Sequence, residues 1–363
     1  MQDFCPIKRV DHLELYVGNA KQAATYYARS FGFAATGYRG LETGQRDTAS
    51  YVLEQGHVRL VVTAALNPDH RIAQFVFEHG DGVGVIALEV PDAAQAFDAT
   101  TTRGAAAAIE PAEERDDHGV LRHAAIHGYG DTLIRFIERG DYRGAFAPGF
   151  GPCQAIPSTS AGLAAIDHIV GNVELGGMDR WVKFFAETMG FTQLVHFDDK
   201  KITTEYSALM SKVMQDGTGK IKFPINEPAS GRRKSQIQEY LDYNHGPGVQ
   251  HIAFATRDIV HTVSELRKRG LEFIRIPPAY YEDLEKRIGK IDEPIDDLAR
   301  LGILADRDEE GYLLQIFTQP VEDRPTLFFE VIERHGSRGF GEGNFKSLFE
   351  AIEREQARRG NLV

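Results

Sequence analysis

The chain reads as an α+β protein built from two tandem copies of one module, with an extra helix after the second copy. Two observations predict this. The first is an internal repeat: Val10-Asp11-His12-Leu13-Glu14-Leu15-Tyr16-Val17-Gly18-Asn19 returns in shortened form as Ile166-Asp167-His168-Ile169-Val170-Gly171-Asn172. Phe31-Gly32-Phe33 returns as Met189-Gly190-Phe191, and the run from His79 to Ala87 returns as His245 to Ala253. Self-similarity over so long a stretch marks duplicated architecture. The second is the order of hydropathy periods within each copy, which runs from strand to helix and then to several short strands.

In order along the chain, Val10, His12, Glu14 and Tyr16 alternate with Asp11, Leu13, Leu15 and Val17, so the two sets line opposite faces of a strand. The segments 20–29 and 179–188 read as helices; in the second, Trp181, Phe184 and Phe185 form an apolar stripe. Strand-like runs follow in the first copy at 50–53, 58–63, 83–89 and 132–137. From Gly140 to Gly162 the chain is rich in Gly, Pro, Ser and Ala, which suits a connector, with the boundary between copies near residue 155. After the second copy, Gly339-Phe340-Gly341-Glu342-Gly343-Asn344 forms a glycine-rich hinge with Asn344 as a candidate N-cap. Phe345, Leu348, Phe349 and Ile352 then fall on one face of a terminal helix, at about 339–359 with its hinge, which packs on the second copy or closes over a site as a lid.

Composition bounds the function. The 363 residues suffice for two domains, 1–155 and 156–363, each with its own core. Lys plus Arg total 41 against 53 Asp plus Glu, a net charge of -12 that disfavours nucleic acid as a partner. The clusters Arg232-Arg233-Lys234 and Arg267-Lys268-Arg269 are too short to alter this. Two cysteines, Cys5 and Cys153, make neither a disulfide framework nor a thiolate metal site. The start, Met1 to Pro6, lacks the pattern of a signal peptide, and no apolar run is long enough for a membrane span. A cytoplasmic protein is expected.

The chemistry lies in a contrast between the copies. His251 in the second replaces Val85 in the first. Glu330 has no counterpart carboxylate: aligned from Thr132 its position becomes Phe136, and aligned from Ile137-Glu138-Arg139 it becomes Arg135. His168 is shared with His12, so the repeat alone does not single it out. Taken singly, such residues are ordinarily core or edge positions. Together, two histidines and a carboxylate on three strands of one module are the parts of a 2-His-1-carboxylate site. Such donors fit Fe(II) without excluding Zn, Mn or Co. The first copy could not hold that ion.

Here a resemblance becomes specific. Asp167-His168-Ile169-Val170-Gly171-Asn172, Pro224-Ile225-Asn226-Glu227-Pro228, Lys234-Ser235-Gln236-Ile237-Gln238, Gly248-Val249-Gln250-His251, Leu313 to Thr318, Asp323-Arg324-Pro325-Thr326 and Gly339 to Phe345 span residues 165 to 350. This pattern resembles the 4-hydroxyphenylpyruvate dioxygenases, within the vicinal oxygen chelate superfamily of tandem βαβββ modules. The resemblance implies curved mixed sheets and Fe(II) held by His168, His251 and Glu330. It also implies a 2-oxo acid substrate and O₂, with oxidative decarboxylation, ring hydroxylation and side-chain migration giving homogentisate. Catalytic roles carry over to Ser211, Asn226, Gln236 and Gln315. Substrate contacts carry over to Pro224, Gln250, Phe317, Phe328, Phe340, Asn344 and Phe345. Strict alternation points Gln250 away from His251. A homo-oligomer, dimer or tetramer, is expected. The competing readings are 4-hydroxymandelate synthase on the same substrate, an extradiol catechol dioxygenase, and a metal-free binding protein on the same modules.

Overall fold

A computed structural model describes residues 4–197, 208–229 and 234–361; Met1 to Asp3 and the pair Arg232-Arg233 lie outside the described residues. The first half forms strands β1 (Arg9–Tyr16), β2 (Ala34–Arg39), β3 (Thr48–Gln55), β4 (Val58–Ala65), β5 (Gly82–Glu89), β6 (Ala107–Asp116), β7 (Gly119–His127) and β8 (Leu133–Glu138). The second forms β9 (Leu163–Asn172), β10 (Thr192–Phe197), β11 (Ala208–Gln215), β12 (Lys222–Ala229), β13 (Gly248–Thr256), β14 (Leu304–Arg307), β15 (Tyr312–Phe317) and β16 (Phe328–His335). Each set makes one eight-stranded mixed sheet, in the orders β2-β3-β4-β1-β5-β8-β7-β6 and β10-β11-β12-β9-β13-β16-β15-β14. The second order is the first with eight added to every number. The tandem copies expected from the repeat are therefore two curled half-barrels of identical topology.

Each half-barrel contains the strand-helix-three-strand unit twice. The first runs β1, helix Ala20–Tyr26, β2, β3, β4; then β5, helix Ala93–Thr101, β6, β7, β8. The unit's internal duplication left no recognisable repeat in the sequence. Strands β2 and β6 escaped the sequence reading because their side chains are largely half-buried or exposed, and β7 because its buried run Ala124-Ala125-Ile126 lacks a clean apolar alternation. The first helix continues past Tyr26 as a π-turn over Tyr27–Phe31 and ends at Gly32, whose φ of 84° favours glycine. In the second half, helix Met178–Met189 buries Met178, Phe185 and Met189 on one face.

One apolar core runs through both halves. Phe31 and Phe254 meet Phe329 at ring-centroid distances of 4.9 and 5.3 Å, and Tyr129 meets Trp181 at 5.7 Å. Gln55 joins the connector to this core: its Oε1 accepts the backbone N–H groups of Ala161, Gly162 and Leu163 at 2.7, 3.0 and 3.2 Å. Its Nε2 donates to the Phe31 carbonyl at 2.9 Å. A buried amide saturated in this way fixes the chain where β9 begins.

The C-terminal helix spans Phe345–Arg358. Asn344 precedes it, but its backbone is already helical (φ -92°, ψ -16°) after a 3₁₀ turn, and its side chain caps nothing. A capping side chain needs an extended backbone to reach back to the first turn. Asn344 instead accepts a 2.6 Å hydrogen bond from the Tyr280 hydroxyl through Oδ1. The expected N-cap is an anchor.

Candidate metal centre and substrate cleft

Three adjacent strands build the centre, and a small residue sits at its middle. Ala253 on β13 pairs with His168 on β9 on one side and with Glu330 on β16 on the other. His251 lies two residues from Ala253, so all of them share one face. The methyl of Ala253 leaves the space between them open. His168 Nε2 stands 3.1 Å from Glu330 Oε2, and His251 Nε2 stands 3.5 Å from the same oxygen. The three donor atoms lie within 4.8 Å of one another.

The three residues are 4%, 8% and 2% exposed, so little of them reaches bulk water. Among the described residues Glu330 Oε1 has no hydrogen-bond partner. Such an orphan costs on the order of 1–3 kcal/mol or more when charged. Burial raises the Glu330 pKa, but the charge and hydrogen bond of His168, and then those of His251, prevail and hold it below the usual carboxylate range. Burial lowers His251, whereas for His168 the neighbouring Glu330 and Asp167 outweigh burial and raise it. A pocket with two imidazoles and an orphaned carboxylate oxygen fits a cation, which would satisfy all three.

A second layer orients these ligands. His168 Nδ1 bonds Asp167 Oδ1 at 2.7 Å, which leaves Nε2 for the centre. Arg334 grips Asp167 at both oxygens, at 2.8 Å each, and also donates to the Gly339 carbonyl at 2.7 Å. Burial raises Asp167, but Arg334 and His168 hold its carboxyl well below the ordinary range. Partners of this kind set the tautomer and ring angle of a metal-binding histidine. Asp167 and Arg334 were missed in the sequence, although each sits in a repeated motif with a counterpart at Asp11 and Arg139. The repeat carried the signal.

Gln250 departs from expectation. Along β9, Val249 pairs with Gly171 and His251 with Val170, so Gln250 is an extra residue in a β-bulge. The bulge breaks the alternation that would have turned Gln250 away. Its Oε1 lies 3.0 Å from His251 Nδ1, and its side chain lines the same cleft as His251.

That cleft holds about 610 Å³ of empty space, part of it open to solvent. It brings together His168, His251 and Glu330 with Ser211, Pro224, Asn226, Gln236, Gln250, Phe317, Phe328, Phe340 and Phe345. Phe328 stacks on His251 at 4.7 Å, and Phe340 meets His168 edge-on at 5.1 Å. Val170, Val213, Leu348 and Ile352 complete the wall. Ser211 and Asn226 face each other across the β11–β12 ladder. Two expected residues are not on this surface. Asn344 is fully buried against Tyr280. Gln315 shares a strand face with Phe317 but lies under the hinge, where a Cβ on Gly341 would come within 2.2 Å of its Nε2. Phe349's side chain lies outside the described residues.

The strand register settles the open alignment of Glu330. Ala87 pairs with His12 and Arg135 as Ala253 pairs with His168 and Glu330, so Arg135, and not Phe136, occupies the carboxylate position.

Comparison with known proteins agrees with this geometry. The profile of the Glyoxalase/Bleomycin resistance protein/Dioxygenase superfamily matches residues 9–130 and 165–316. The chain is 48% identical to a 4-hydroxyphenylpyruvate dioxygenase of Yarrowia lipolytica, over 97% of this chain and 93% of that protein. It is 47% identical to one of Danio rerio, over 97% and 91%. Among solved structures, a triple mutant of 4-hydroxymandelate synthase from Streptomyces coelicolor superimposes with a TM-score of 0.86 at 34% identity, covering 97% of this chain and 99% of that one. The chain belongs to the glyoxalase/bleomycin resistance protein/dioxygenase superfamily and, within it, to the family of the 4-hydroxyphenylpyruvate dioxygenases.

Proposed function

We propose that this protein is an iron(II)-dependent dioxygenase that converts 4-hydroxyphenylpyruvate and O₂ to homogentisate and CO₂. The observation that carries the reading is the convergence of His168, His251 and Glu330 beneath an aromatic cleft, in a chain so similar to dioxygenases named for that substrate. Two imidazoles and one carboxylate, without thiolate, suit Fe(II) and leave positions open. Iron, when bound, supplies the Lewis acidity that binds a 2-oxo acid at two points and the redox chemistry that activates O₂.

The chain's own residues do the rest. Phe317, Phe328, Phe340 and Phe345 form an apolar wall that holds the aromatic ring and excludes water. Ser211, Asn226, Gln236 and Gln250 supply the polar groups that fix the ring hydroxyl and the acid end. Asn226 Nδ2 already donates to Asn172 Oδ1 at 3.3 Å, which limits its freedom and preorganises the β11–β12 side of the cleft. Leu348 and Ile352 extend the apolar wall from the C-terminal helix, so that helix is the lid of this reading. We assign Gln315 to supporting the hinge. The reading carries with it a homo-oligomer working in tyrosine breakdown in the cytoplasm, where two cysteines that form no disulfide are at ease.

The likeness to 4-hydroxymandelate synthase favours one rival, benzylic in place of ring hydroxylation. Incubation of the Fe(II)-loaded protein with 4-hydroxyphenylpyruvate and O₂, with NMR of the product, separates them. Homogentisate supports the proposal, 4-hydroxymandelate establishes the rival, and absence of O₂ uptake defeats both.

A further inference from the structure

We propose that the first half-barrel holds a second binding site, for a small organic carboxylate that also bears a hydroxyl group. Its cleft holds about 840 Å³ of empty space, part of it open to solvent, and is built from the register equivalents of the metal centre. His12 stands where His168 stands, and Arg135 where Glu330 stands. Ser50 and Thr63 face each other across β3 and β4 as Ser211 and Asn226 do across β11 and β12.

The supporting layer is intact although the metal ligands are not. Asp11 bonds His12 Nδ1 at 2.6 Å and is gripped by Arg139 at 2.5 and 2.7 Å. With Nδ1 committed to Asp11, the nitrogen left for the cleft is Nε2, and burial favours the neutral ring. His12 thus offers an acceptor. A guanidinium in the carboxylate position excludes a metal ion and puts a positive charge where the second half has a negative one. Among the described residues Arg135 has one acidic partner, Glu14 at 3.3 Å, which Thr63 also occupies at 2.8 Å. Its Nε has no partner among the described residues, nor has Nδ1 of His123, another residue of the same cleft. One carboxylate oxygen at 3.3 Å leaves much of a fork of five donors free to take a ligand. A ligand carboxylate on Arg135, with a hydroxyl donating to His12, satisfies both ends. Phe146, edge-on to His12 at 5.0 Å, and Phe150 supply apolar surface to the same cleft.

The test is equilibrium dialysis of the full-length protein with 4-hydroxyphenylacetate, a probe that lacks the 2-oxo group. We expect a binding component that survives Glu330→Gln and weakens at least about tenfold in Arg135→Leu, the loss of roughly one charge-assisted hydrogen bond. Arg135→Lys keeps the charge without the fork and should weaken it by a smaller factor. Turnover by the second half, unchanged in both variants, reports that the chain has folded. Absence of that component in the wild type, or its persistence in both Arg135 variants, would overturn the proposal.

Discussion

Arg135 and Glu330 occupy one register position in the two half-barrels: each lies across from the alanine, Ala87 or Ala253, that also pairs with the histidine of the neighbouring strand. The same topology thus presents a cation in one half and an anion in the other. Val85 against His251 is the second change. If these two differences alone separate the halves, Val85→His combined with Arg135→Glu should create a second metal site around His12. Metal analysis after dialysis should rise by about one ion per chain. An unchanged content would mean that the first cleft lacks more than ligands.

The Asp167 carboxylate ties His168 to Arg334 and, through Arg334, to the hinge at Gly339. Asp167→Asn keeps the shape but removes the charge that raises imidazole basicity. Metal affinity should fall by about 10–100-fold, the usual weight of such partners. Competition against a chelator of known affinity measures it, and affinity equal to wild type would remove Asp167 from the account.

Gly341 has a φ of 76° and lies against Gln315. Gly341→Ala meets both the left-handed strain, about 1–2 kcal/mol, and the contact with Gln315. The hinge should shift, loosening Phe340 and Phe345 from the cleft. Substrate affinity should drop several-fold with metal affinity unaltered, and truncation before Gly339 should give the same split more strongly. Equal loss of both affinities would contradict a lid that acts on substrate alone.

Glu322 sits at the junction of the halves near Asp81. Burial, reinforced by the Asp81 charge, pushes its pKa up to about 9 against the weaker pull of Arg324. The folded protein therefore holds this proton more tightly than the unfolded chain. The stability so gained is full below the unfolded carboxylate value near 4.5 and is lost as pH rises toward 9. Glu322→Gln should flatten that decline and raise Tm at pH 8 by about 2 °C or more. Melting curves from pH 5 to 9 check it; parallel wild-type and variant profiles would show that Glu322 is ionised in the fold.

Much of the fold was legible because duplication repeats its own punctuation. The Asp-His strand start, the Gly-Phe helix end and the Ile-Glu-Arg strand all occur twice, so the division into two like halves could be read without knowing any strand order. The three donor residues stood out because two of them lack a counterpart in the first half. What stayed hidden depended on geometry across strands. The bulge at Gln250 has no signature in a Gly-Val-Gln-His run, and only the pairing of β13 with β9 reveals it. The anchoring of Asn344 by Tyr280 joins residues 64 apart in sequence, beyond any local pattern. Arg135 could be placed against Glu330 only once both sheets had a register.

The most direct test of the account is the iron content of the Fe(II)-reconstituted protein beside that of Glu330→Ala. One ion per chain in the wild type, lost in the variant while its fold persists, is the predicted result. No bound iron in the wild type, or one ion per chain retained without Glu330, would contradict a centre built on His168, His251 and Glu330.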